Sequence, residues 1–467
     1  MGEIANSVEY RPAPASSNQT LFIVSSNVDK VNPTTRKIIR SHVMQGKKRK
    51  RAFRNEDRGK HRWSTTANRT LPLPSRVGSD LSFVRFADEI DPSTAISIIK
   101  FSTIATRILF PLLTAIGFRT DTTCSLGPID TDAAVLHITA FAVDGFIERI
   151  LRQQGNSTSP TAMLHLQKGT RMLRKRLMLG DDPMILSDST MSAIVKLADT
   201  SHFDGDGEAA KQHMRGLRRL VDLRGGMDAL GGTRALVEVL RCDLRIALLN
   251  DSQPVFYCQP SGPIPDYPNE LLPSSKDKMS MQNDNDLIRN LDKNLATAWR
   301  VMSKFCLLVN LSTQTKRLIY PEFIHETLIS VVYRLLNTGF AVGSLEEVVR
   351  LGLLAYSHHV FLQWQDVKLP LYPLLNAYRD AVLGLDVVDS ASSELILWLL
   401  MTAAISLFNI SDETWLRDCL WKHINKCQTG TWKGLQEILK SFMWIGLLDD
   451  EPGRQTYDRL FSEREKR

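Results

Sequence analysis

Between residues 207 and 226 the apolar side chains Met214, Leu217, Leu220 and Val221 recur at three- and four-residue steps, and Gly225-Gly226 ends the run. At about 100° per residue, this spacing gathers the four on one face of an α-helix. Arg215, Arg218, Arg219 and Asp222 fall on the opposite face. A strand needs apolar residues at every second position, which this segment lacks. Glycine accepts the left-handed conformation that helix ends often require, so the pair stops the helix. A second pair, Gly231-Gly232, breaks the chain before another helix from about Thr233. Leu217 and Leu220 are therefore expected in a core, and Arg218 and Arg219 in solvent.

Helical periodicity extends along the chain from about Asp91, without the sustained alternation a sheet demands. The fold expected is all-α. Pro92 suits the first turn of a helix over 94–109, and long apolar-faced helices are expected over 130–154 and 161–178. In the latter, Leu164, Met172 and Leu173 are expected inward, and Lys168, Arg171, Arg174 and Lys175 outward. Ser187 is a candidate cap for a helix over 189–200. Further helices are expected over 287–310, 321–337, 345–364, 392–408 and 431–444.

Residues 251–286 interrupt this pattern with six of the twenty prolines and read as a long loop. They divide an N-terminal helical half, 81–250, from a C-terminal half, 287–467. Seven of the eight tryptophans lie in the latter, which argues for a packed core. No fixed-period repeat supports a solenoid. The longest uncharged run, 395–411, has seventeen residues, short of the roughly twenty a membrane span needs. A buried core helix is the expectation, and no membrane partner.

Charge separates the first 80 residues from the rest. The chain carries +7, but residues 36–62 alone hold twelve Lys/Arg against two acids. That segment sums to +10 and the remainder to −3. With little apolar periodicity, residues 1–80 are expected to be a disordered basic arm. A basic helix over 34–50, after Pro33, would form on a partner. Lys47, Lys48, Arg49, Lys50 and Arg51 are five adjacent cations that fit the acidic groove of a nuclear import receptor. The same run would also serve as a merely solvated charge cluster. Arg40, Arg54, Arg58, Lys60 and Arg62 are candidates for non-specific contact with DNA phosphates or an acidic partner. Met1-Gly2 invites acylation, but Asn6 departs from the Ser or Thr such a signal uses.

The six cysteines are scattered and include no CxxC pair, so free thiols are expected. Cys419, His423 and Cys427 share a helical face at four-residue steps. Eight residues of helix rise about 12 Å, too far for all three to reach one zinc. His358 and His359, adjacent on a helix, diverge. Asp204, Asp206 and Glu208 lack calcium-loop spacing and read as a turn and cap. There is no GxSxG, Walker, GxGxxG or HExxH motif. Accordingly no catalytic residue, metal ligand or cofactor is expected.

The order His213, Gly216-Leu217, Leu220-Val221, Arg224-Gly225-Gly226, following the turn Asp204-Gly205-Asp206-Gly207, resembles the middle homology region of fungal-specific transcription factors. Phe22-Ile23-Val24, Arg36, Ile39-Arg40-Ser41-His42-Val43-Met44 and the basic run behind them are similar to the opening of a zinc-cluster-lacking group of such proteins, labelled "tachykinin family". The resemblance implies a nuclear regulator of genes, often those of specialised-metabolite pathways. In zinc-cluster factors, six closely spaced cysteines hold two zinc ions and position a DNA-reading helix. Here the first cysteine is Cys124, well past the arm, so that module is absent. Expected partners are an import receptor and a transcription factor or co-regulator protein, with DNA contacted indirectly or non-specifically. The competing expectation is a cytosolic helical scaffold or enzyme whose arm only solubilises it.

Overall fold

The computed structural model describes residues 84–109, 112, 128–147, 159–178, 184–230, 234–256, 291–315, 321–364, 372–385 and 393–464. Among them the fold is all-α, with fourteen α-helices and no strand. The N-terminal half holds α1 (Pro92–Leu109), α2 (Ala133–Phe146), α3 (Pro160–Met178), α4 (Asp188–Phe203), α5 (Gly207–Arg224) and α6 (Arg234–Leu249). The C-terminal half holds α7 (Lys293–Thr315), α8 (Pro321–Leu336), α9 (Leu345–Ser357), α10 (Tyr372–Leu383), α11 (Ser393–Ser406), α12 (Thr414–Lys426), α13 (Trp432–Lys440) and α14 (Gly446–Arg464). A π-turn, His358–Leu362, continues α9. Residues 76–467 form one compact unit.

Polar side chains set many of the helix starts. Asp132 accepts the backbone N–H groups of Ala134 and Val135, so α2 begins at Ala133 rather than at Asp130. Ser187, Ser344 and Thr431 cap α4, α9 and α13 in the same way. Asp292 accepts from the amides of Asn294 and Leu295 and starts α7 later than residue 287.

Each half has its own apolar core. Ile98, Val135, Ile138, Met191, Met214 and Leu217 centre the first, and Trp299, Phe305, Tyr378, Trp398 and Trp444 the second. Helix α6 belongs to both. Its Val239, Cys242 and Ile246 enter the N-terminal core, while Leu244, Leu248 and Leu249 enter the C-terminal one. Helix α11 is buried from Leu395 to Ser406, as its uncharged sequence leads one to expect. No helix among the described residues is long and apolar enough to cross a membrane.

The orientation of α3 corrects the expectation for Leu164. Its buried residues are Ala162, Gly169 and Leu173, Met172 is half-buried, and Leu164 is 65% exposed. Nine residues separate Leu164 from Leu173, half a turn out of phase at about 100° per residue. The small inward residues let α3 lie close against α2.

Candidate functional site

Helix α5 is built as its sequence dictates. Asp206 accepts the Ala209 amide at 2.9 Å and opens the helix. Gly225 and Gly226 close it at φ 116° and 87°, left-handed values that strain any residue with a Cβ. Their N–H groups return to Asp222 O at 3.2 Å and Val221 O at 2.8 Å, a Schellman closure. Met214, Leu217, Leu220 and Val221 are buried and Arg219 is exposed. Arg218 departs from the expected solvated position, with its side chain only 29% exposed. It donates to Asp222 at 2.9 Å and to Val255 O at 3.4 Å, and lies 5.6 Å from the Phe256 ring centre. The guanidinium thus ties α5 to the start of the proline-rich segment.

A buried polar centre joins the two halves where α4, α6 and the π-turn meet. Arg241 donates through Nε and Nη2 to Phe361 O, at 3.1 and 2.6 Å. Arg245 pairs with Asp199, reaches Leu362 O at 3.5 Å, and lies 5.8 and 5.2 Å from the Phe203 and Trp364 ring centres. The Cys242 thiol donates to Asp199 at 3.1 Å. Burial pulls Arg241 down to about 9, which leaves it cationic at neutral pH. Burial opposes the charge on Arg245 too, but Asp199 outweighs it and holds that guanidinium above its usual value. Burial, reinforced by Arg245, lowers His202 to about 4, and burial lowers His358 to about 3. His202 Nε2 and His358 Nδ1 have no hydrogen-bond partner within the protein. Burial also pushes the Cys242 thiol well up, away from a nucleophilic thiolate. Neutral imidazoles, a protonated thiol and arginines spent on carbonyls and Asp199 make this centre a lock between halves.

Three smaller networks pin other elements. Asp88 receives His137 Nε2 at 3.2 Å and Lys168 Nζ at 2.8 Å, while His137 and His165 share a hydrogen bond between their Nδ1 atoms at 2.8 Å. Asp243, only 2% exposed, accepts the amides of Val255 and Phe256 and the Tyr333 hydroxyl at 2.8–2.9 Å. Asp449, fully buried, accepts the Tyr356 hydroxyl, the His359 ring and the Ile445 amide, so α14 is anchored beneath α9.

Lys47, Lys48, Arg49, Lys50 and Arg51 lie outside the described residues, as do Arg40, Arg54, Arg58, Lys60 and Arg62. The helix expected over 34–50 and most of the loop expected over 251–286 lie outside them too. Cys419 and His423 lie on α12, and Cys427 follows its end. His423 is buried and lowered to about 4 by that burial; the Cys419 and Cys427 thiols are raised by theirs. Among the described residues no group of three or more His, Cys, Asp or Glu is placed to hold a metal ion. A cleft of about 210 Å³ lies between the end of α6 and helices α9 and α10, with Leu336, Leu351, Leu354 and Leu374 beside Arg350 and Asp251.

Spacing alone does not single out Arg241, Asp243 and Arg245. The signal is there in retrospect: three charges within five residues of an otherwise apolar helix, too many for a helix buried on two sides unless each has a partner. Compared with protein-family models, curated proteins and solved structures, the chain matches none.

Proposed function

We propose that the protein is a nuclear transcriptional regulator of fungal type that lacks its own zinc-cluster DNA-binding domain. The observation that carries the reading is helix α5. Its acidic turn, capped start, Gly216-Leu217 and Leu220-Val221 steps and double-glycine stop are the residues that resemble the middle homology region. The all-α body around that helix supports the same reading. The basic arm supplies import through Lys47–Arg51 and sequence-blind contact with phosphates. A partner that carries a DNA-reading domain supplies specificity by raising the effective concentration at its site. Genes of specialised metabolism are the finer expectation for its targets.

Two experiments test this. Changing Lys47, Lys48, Arg49, Lys50 and Arg51 together to alanine should move a fluorescent fusion from nucleus to cytoplasm. Undiminished nuclear accumulation would remove that run from the account. Purified protein titrated against a candidate promoter fragment and a scrambled duplex should bind both with dissociation constants of roughly 10⁻⁴–10⁻⁶ M at physiological salt. Binding should weaken steeply as salt rises. A preference above about 10³-fold for one sequence, typical of specific binders, would mean that the chain reads DNA itself.

A further inference from the structure

The outward face of α3 is an unpartnered surface of mixed chemistry. The helix contains no acidic residue, and its extensive packing against other helices is confined to α2. Two of its cations are used internally: Lys168 on Asp88 at 2.8 Å and Arg176 on Asp132 at 2.9 Å. Arg171, Arg174 and Lys175 are exposed, and none is ion-paired with a described residue. Large apolar side chains flank them, with Met163 49%, Leu164 65% and Met178 82% exposed. Leu164, Arg171 and Met178 recur at seven-residue steps, which drift only about 20° each on a straight helix. They form one line about 21 Å long, apolar at both ends and cationic in the middle.

The support beneath this face is firm. A Cβ on Gly169 would stand 2.8 Å from Ile138 Cγ1 and 3.1 Å from the Ile138 backbone nitrogen, so α3 is pressed against α2. Asp132 holds Arg176 through both carboxylate oxygens. The face therefore cannot roll inward to bury Leu164 and Met178.

We infer that the outward face of α3 docks an acidic amphipathic helix of a partner protein. Its apolar residues, about two heptads apart, would cover Leu164 and Met178, and the Asp or Glu residues between them would pair with Arg171, Arg174 and Lys175. DNA phosphates would satisfy the three cations but leave the apolar ends uncovered. A bilayer needs an apolar arc distinct from the basic one, and here both chemistries share a single line while the opposite arc is packed on α2. The inference rests on this surface alone and would hold equally for a cytosolic scaffold.

The test uses the full chain. A displayed library of 20-residue helical peptides, randomised on one face, is selected on it, with excess soluble polyglutamate present to occupy the +10 arm. Selected peptides are then measured by fluorescence anisotropy. They should place Asp or Glu between apolar ends and bind the Arg171→Glu/Arg174→Glu/Lys175→Glu variant at least tenfold more weakly. Leu164→Ala/Met178→Ala should weaken them several-fold. Both sets are surface changes; if the charge reversal lowers the melting temperature, glutamines at the same three positions replace it. Selected peptides without acidic enrichment, or with affinity unchanged by the substitutions, would overturn the inference. So would phosphatidylserine vesicles or a 20-base-pair duplex that lose binding to the charge-reversed chain as fully as the peptides do, since the face would then read phosphate.

Discussion

Arg218 and Arg219 are neighbours in sequence and unlike in consequence. Helical spacing places both opposite Leu217, and Arg219 is exposed there. Arg218 instead reaches Val255 and Phe256, residues 37 and 38 positions along the chain. Helical spacing decides which way a side chain leaves its own helix; what the rest of the chain brings to meet it is tertiary. Three substitutions should separate these cases in urea melts. Leu217→Ala should cost about 2–5 kcal/mol, because the site is fully buried. Arg218→Ala should cost about 1 kcal/mol through its lost hydrogen bonds and ring contact. Arg219→Ala should cost under about 0.5 kcal/mol. Equal losses at Arg218 and Arg219 would contradict the tie to the proline-rich segment.

At the scale of elements, helices with a clear apolar period, such as α1, α4, α5 and α11, are legible in the sequence to within a few residues. Helices α10, α12 and α14 are not. Helix α14 holds Pro452-Gly453, a pair that ordinarily marks a turn. It stays helical because tertiary packing requires it: a Cβ on Gly453 would stand 2.8 Å from Trp444 and 2.9 Å from Trp432. The buried Asp449 also ties the first turn to Tyr356 and His359. Helix α3 teaches the complementary lesson. Its close contact with α2 rests on Ala162 and Gly169, residues too small to register in a hydrophobic pattern, so Leu164 draws attention that it does not merit. Gly169→Ala should therefore destabilise the fold by about 1–3 kcal/mol through overpacking. Helix propensity alone predicts a gain of about 1 kcal/mol, and thermal melts showing that gain would contradict the tight α2–α3 contact.

For the whole molecule, the two halves are legible from the proline-rich interruption, but their union is not, because it depends on Arg241, Arg245 and Asp199 meeting a π-turn more than a hundred residues away. Several of the buried histidines respond to pH together. His202 and His423 are lowered to about 4 and His358 to about 3, in each case mainly by burial. Their native pKa values lie below the unfolded value of about 6.5, so the unfolded chain binds more protons as pH falls through that window. Stability is full above pH 6.5 and should fall towards pH 4 by up to about 1.4 kcal/mol per pH unit for each histidine. Asp243, raised by burial, acts in the opposite direction, while Asp88, Asp91 and Asp132 are lowered and lose their contribution only below their ordinary range. Urea midpoints at pH 7, 6 and 5 should therefore decrease, and equal midpoints would contradict the buried neutral histidines. The central claim, that this helical body regulates genes without a DNA-reading module of its own, is tested most directly by chromatin immunoprecipitation of the tagged full chain, paired with expression profiling of a deletion strain. The account predicts enrichment at a limited set of promoters whose genes change expression on deletion. Absence of promoter enrichment, with no coherent change in expression, would contradict it.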